Sequence, residues 1–411
     1  MKSIREGEEI VSTDIKIAVV LHTLQDLRGH EYNFAVSIHQ GLKEVFSNSQ
    51  IDFIVGEYTH VLDKDFFLKL IPDYVSYSFK SKGIHKVISL FRTAMLINEL
   101  IDNLESAYDC IVFSDGYELR LLLALIARRK LVNKPIFVYL HSLYMIKPYV
   151  KKFAWTSNGF KNIFFLTYNE QDELDGLTKN FVRSLETKGG KIFFHAPYPV
   201  FTQGFTKPKM KVDSGKFTLG YLGAASSVRG YQEVVDFILY LSQSDNCCYD
   251  FVLTTYPPRD CKDEKLLNYI DSIKLANVKN VKLIPTPLPM EEYYETLNSI
   301  SAMLLLYDEK YYKHLFSGIL LEAFALGKPA IVTPNTWLSR QVNKFDAGVV
   351  VQSTRPEDVL KAVKELESNY EYYSANALKA AQYLLEIHNA RSLALFIKEI
   401  LENPHVAHKT P

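Results

Sequence analysis

The feature that most constrains this chain is a rhythm. Short runs of apolar and β-branched residues alternate with longer segments whose apolar residues recur at helical spacing. KIAVVLH (16–22) comes first, then an amphipathic stretch over 31–46, then IDFIVG (51–56). A helical SLFRTAMLINELIDNL, DCIVFSDG, a helical ELRLLLALIARRK, PIFVYLH, NIFFLTYN, a helical segment to Leu185 and KIFFHA continue the series. A strand with no polar alternation needs cover on both faces, and parallel strands need crossover helices between them. The pattern predicts an α/β fold built on a doubly wound, Rossmann-like parallel sheet.

The rhythm stops near residue 200, where HAPYPVFTQGFTKPKMKVDSGK is rich in proline and glycine and poor in periodic apolar residues. It restarts with FTLGYLG, DFVLTTY, VKLIP, SAMLLLY and PAIVTP, each followed by a helical segment. Helices over 356–368 and 371–401 close the chain. The expected organisation is an N-terminal domain over 1–199, a C-terminal domain over 200–385 and a terminal segment over 386–411, with two such sheets facing a cleft.

Composition removes several classes. The 411 residues carry 47 Lys+Arg against 47 Asp+Glu, a net charge of zero, which argues against nucleic acid as the partner. MKSIREGEEIVSTD has no apolar signal core, and no apolar run is long enough to cross a bilayer. Cys110, Cys247, Cys248 and Cys261 lack metal-ligand spacing and make no disulfide framework, so a cytoplasmic protein is expected. Asp63-Lys64-Asp65 has the look of a metal motif, but it reads better as the acidic start of a helical DFFLKL. Segment 144–155 interleaves aromatics with Lys147, Lys151 and Lys152. It reads as a solvated basic loop, with weak peripheral contact to anionic headgroups as the competing reading.

Open parallel sheets bind ligands beyond the carboxyl ends of their strands, so residues just after each strand carry the functional argument. In KHLFSGILLEAFALGKPAIVTP, Ser317 is placed to cap a helix whose first amides, at Gly318 and Ile319, form a phosphate cradle. Glu322 lies one turn further in, within reach of a ribose. In GYLGAASSVRGYQE, Gly223 and Ala224 form a small-residue turn, and Arg229 supplies a charge for a diphosphate. Thr286 and Pro287, after VKLIP, join the substrate-binding candidates. Each segment alone also fits an ordinary capped helix or strand–helix turn.

Their order and spacing together resemble glycosyltransferase family 4, a family of GT-B fold. FTLGYLGAASSVRGYQEVVDFI resembles the opening of that family's second domain, and FSGILLEAFALGKPAIVTPNTWLSRQVNKFDAGVVV resembles its donor-site helix, next strand and loop. The resemblance implies a nucleotide-sugar donor, UDP-linked in the commonest case, and a glycan or lipid-linked acceptor. It implies transfer with retention in polysaccharide or glycolipid assembly, with neither metal nor cofactor. It makes Arg229 the basic residue at the diphosphate and Glu322 the ribose ligand, and it brings the last helix back to the first domain. The family's first glutamate falls on His314, and a usual arginine falls on Ala224. In the first half Gly29 corresponds to a glycine loop over the diphosphate, with His30 beside it. His141 stands where an active-site histidine is common, and Asp115 ends the preceding strand. A sugar-nucleotide 2-epimerase of the same fold, and a catalytically silent nucleotide-binding partner, are the competing readings.

Overall fold

The computed structural model describes residues 15–21, 24, 29–57, 59, 67–71, 84–114, 121, 124–125, 128, 132–140, 161–168, 176–187, 189–200, 216–243, 248–258, 261–276 and 278–403. The chain divides into two compact units. Unit 1 is Met1–Phe201 with His388–Pro411, and unit 2 is Thr202–Ile387.

Unit 1 holds β1 (Lys16–Leu21), α1 (Gly29–Val45), β2 (Gln50–Gly56), β3 (Phe67–Ile71), α2 (Ile84–Ala107), β4 (Cys110–Phe113), β5 (Ile136–Tyr139), β6 (Ile163–Leu166), α3 (Gly176–Glu186) and β7 (Lys191–Phe193). Among the described residues seven strands pair in parallel in the order β3-β2-β1-β4-β5-β6-β7. Every residue of β4, β5 and β6 is buried, as unbroken apolar strands require when both faces are covered. The helical reading of DFFLKL is corrected: Phe67–Ile71 is a strand at the sheet edge, paired with β2 through a register shift at Val55/Gly56. Asp63, Lys64 and Asp65 lie outside the described residues.

Unit 2 holds β8 (Phe217–Tyr221), α4 (Tyr231–Ser242), β9 (Tyr249–Thr254), α5 (Glu264–Ala276), β10 (Val281–Ile284), α6 (Met290–Ser299) and β11 (Ala302–Leu305). It continues through α7 (Glu309–Tyr312), α8 (Gly318–Ala325), β12 (Ala330–Val332), α9 (Trp337–Phe345), β13 (Gly348–Val350), α10 (Pro356–Ser368) and α11 (Tyr370–Ile387). Six parallel strands run β10-β9-β8-β11-β12-β13. Leu219, Val235, Phe251, Leu304 and Ile331 belong to one buried core joining sheet and helices.

The helical stretch expected over 371–401 is two helices. Asn389 breaks it by capping α12 (Ala390–Glu402), its side chain accepting from the Ser392 amide at 2.8 Å. α12 belongs to unit 1, where Leu393, Ala394, Ile397 and Ile400 are buried at helical spacing and the helix packs on α1. The two helices approach so closely that a Cβ at Gly41 would lie 2.3 Å from the Ala390 carbonyl carbon. At the start of this return, His388 Nδ1 accepts from the Tyr198 amide at 3.2 Å.

Candidate functional site

The strand order of unit 2 reverses between β8 and β11, and the chain leaves these neighbours toward opposite faces of the sheet. A crevice opens at such a switch point, beyond the strands' carboxyl ends. The loops that border it carry most of the candidate residues.

After β8 the chain turns at Gly223, whose φ of +101° suits glycine. Thr254, at the end of β9, donates its hydroxyl to the Gly223 carbonyl, and Ala225 N–H donates to Tyr256 O at 2.8 Å. Ala224 is half-buried between them, its carbonyl accepting from the Tyr221 hydroxyl at 3.4 Å. A 3₁₀ turn, Ser227–Arg229, follows, and Gly230 (φ 67°) leads into α4. A Cβ on Gly230 would sit 1.9 Å from the Leu306 carbonyl oxygen, so only glycine lets α4 begin against the end of β11. From the far side, Asp308 N–H donates to Val228 O at 3.1 Å. The turn that carries Arg229 is therefore bolted to the residues after β11.

Arg229 is half-buried, and among the described residues it forms no ion pair. Its Nε donates to the Tyr312 hydroxyl at 3.3 Å. Desolvation works against the charge, but the phenolic oxygens of Tyr312, Tyr307 and Tyr221 outweigh it and hold the guanidinium cationic. Arg229 Nη1 and Ile319 Cδ1 lie 3.5 Å and 3.0 Å from where a Gly223 Cβ would stand, so the first loop touches the start of α8.

α8 is fixed at both ends. Ser317 caps it, its Oγ accepting from Leu320 N–H at 3.4 Å, which leaves the earlier amides of Gly318 and Ile319 at the positive end of the helix. At the other end Gly327 (φ +66°) ends the turn, and its carbonyl accepts from Ser374 Oγ at 2.6 Å. Gly318 differs from Gly223 and Gly230, because a Cβ there would meet nothing within 4 Å. Glu322 is half-buried one turn along and accepts from the Tyr293 hydroxyl of α6 at 2.7 Å. Burial pushes its carboxyl up to about 7, against a partial pull downward from Tyr293 and Tyr294.

The structure thus brings together Gly223, Arg229 and Ile319, with Ser317, Gly318 and Glu322 on the same helix start. His314 is buried three residues before the cap, on a segment held by Arg340 Nη1, which donates to Lys313 O at 2.9 Å. Thr286 and Pro287 are exposed beyond β10, on the loop leading to α6. Gly29 and His30 are the first two residues of α1, so the glycine loop expected there is a helix start. Asp115, His141 and segment 144–155 lie outside the described residues. Among the described residues no group of three His, Cys, Asp or Glu is placed to hold a metal ion, and no helix is long and apolar enough to cross a membrane.

Sequence reasoning missed the tyrosines. Tyr221, Tyr256, Tyr307 and Tyr312 surround the Arg229 charge, and Tyr307 and Tyr312 pack with ring centroids 4.4 Å apart. Tyr307, directly after SAMLLL at the switch point, is the one whose position offered a signal.

Comparison with known proteins bears on the family and the fold. Residues 205–382 match the family model described as glycosyl transferases group 1. No curated protein matches the sequence. The fold is similar to sucrose-phosphate synthase from Thermosynechococcus elongatus (TM-score 0.68, 14% identity, 96% of this chain and 100% of that one). It is similar to HepE from Anabaena in complex with UDP and glucose (0.60, 12%, 95% and 100%). It is also similar to WaaG, a glycosyltransferase involved in lipopolysaccharide biosynthesis (0.59, 12%, 93% and 99%). The chain has the fold of GT-B glycosyltransferases, and its second unit matches the glycosyl transferases group 1 family over residues 205–382.

Proposed function

We propose that unit 2 binds the nucleoside diphosphate of an activated sugar, UDP-linked, and that the enzyme passes the sugar to a glycan or lipid-linked acceptor with retention of configuration. The observation that carries this reading is Arg229, a half-buried guanidinium with no carboxylate partner among the described residues, set beside the positive end of α8 at the switch point. Buried charge without a counter-ion is costly, and an anionic ligand supplies what the protein withholds.

In this reading the diphosphate lies between Arg229 and the amides at Ser317, Gly318 and Ile319, and Glu322 accepts from the ribose hydroxyls. The leaving diphosphate gathers negative charge as the sugar departs. A fixed cation and a helix terminus stabilise that charge without reorganising. A neighbour that binds UDP and glucose supports the donor, and one involved in lipopolysaccharide biosynthesis supports the acceptor class. Polysaccharide or glycolipid assembly in the cytoplasm, at the inner face of the membrane, is the setting we infer.

The test is calorimetric titration with UDP, without metal and with EDTA. Wild type should bind equally in both, and Arg229→Ala should bind about 10- to 100-fold more weakly with an unchanged melting temperature. Undiminished affinity in Arg229→Ala refutes the site. Binding or transfer that needs Mn²⁺ refutes charge stabilisation by protein groups alone.

A further inference from the structure

We propose that Tyr312 is a positioning residue for the transfer reaction, one that aims Arg229 at the leaving diphosphate. The proposal rests on the reading that Arg229 meets that diphosphate. An arginine side chain has many rotamers to lose, so a guanidinium is an accurate anion ligand only when something else fixes it. Tyr312 does this through one bond, accepting from Nε at 3.3 Å. Among the described residues no hydrogen bond engages either terminal nitrogen, so the pair that forms a fork toward an anion is left for the ligand. A carboxylate in the same place would cancel the charge, whereas a phenol orients it and leaves it whole.

Tyr312 is itself packed in place. It is buried, its ring packs on Tyr307, and it ends the short helix α7. One residue ties this helix to the Arg229 turn. The Asp308 side chain caps α7 by accepting from Lys310 N–H at 2.8 Å, and its carbonyl accepts from Tyr312 N–H at 2.9 Å. Its own N–H meanwhile holds Val228 O. Arg229 and Tyr312 thus close a ring through Val228 and Asp308, and the guanidinium direction is set by backbone at both ends.

The test is a double-mutant cycle read by UDP titration and melting temperature. Tyr312→Phe keeps the ring against Tyr307 and removes only the acceptor, so UDP affinity should fall about three- to tenfold with the melting temperature held. In an Arg229→Lys background the same change should cost nothing further, because lysine has no Nε–H to orient. A purely structural tyrosine would cost the same in both backgrounds, and that result overturns the proposal. So does a Tyr312→Phe protein that binds UDP as wild type does while Arg229→Ala loses it. If Arg229→Ala also keeps its affinity, the reading beneath fails and takes the proposal with it.

Discussion

At the scale of single residues, the site keeps its two charged groups in unlike states. Arg229 is cationic throughout, whereas Glu322 titrates near neutrality because burial has raised its carboxyl from 4.5 to about 7. The folded protein holds the Glu322 proton more tightly than the unfolded chain does. Between about pH 4.5 and 7 this residue therefore removes stability as pH rises. Glu322→Gln has no such proton to lose. It should match wild type near pH 4.5 and exceed it above pH 7, by at most about 3 kcal/mol, in melting curves taken across that range. A pH-independent difference would show that Glu322 is already ionised and solvated in the free protein. His388 runs the other way: burial, then nearby His195, lower its imidazole to about 4, so it favours the fold in its neutral form. Its contribution is complete above about pH 6.5 and fades as pH falls toward 4.

At the scale of elements, α8 gives the sharpest prediction because its first glycine is not required by the protein. A methyl at Gly318 meets no neighbour, and alanine lowers the entropy of the unfolded chain, so Gly318→Ala should stabilise by about 0.4–1 kcal/mol. If a diphosphate occupies that open space, the same variant should bind UDP several-fold more weakly, a rise in melting temperature paired with a loss of affinity. Retained affinity would place the ligand elsewhere. Gly318 was legible in the sequence because a serine cap followed by glycine before an apolar helix is a local pattern, read without knowing what packs against it. The buried strands were legible for the same reason. β3 was not, because Phe67 and Leu68 are half-buried and Lys69 exposed at an edge, so FLKLI shows neither an unbroken apolar run nor clean alternation. The break between α11 and α12 was hidden because Asn389 makes it by capping, with no proline or glycine to mark it. Tyr312 was illegible for a third reason: its partner is 83 positions away, and only the strand order brings the two together.

At the scale of the whole molecule, the fold is distributed unevenly along the chain. Unit 2 is one continuous segment, but unit 1 is assembled from both ends. Removing residues 388–411 strips α1 of the face made by Leu393, Ile397 and Ile400, a loss on the order of 5 kcal/mol. That is comparable to the whole stability of a domain. Calorimetric melting of the truncated chain should show unit 1 unfolding early and unit 2 near its original temperature. A single unshifted transition would mean that α12 adds nothing to unit 1. The close seat of Ala390 on Gly41 has a further consequence, in the order of birth. A ribosome adds roughly 5–20 residues per second. After α1 emerges, tens of seconds pass before the helix that covers it is made, and in that time unit 2 can finish folding. Unit 1, begun before unit 2, is therefore completed after it, and a newborn chain carries a bare apolar stripe on α1 until residues 390–402 have been made.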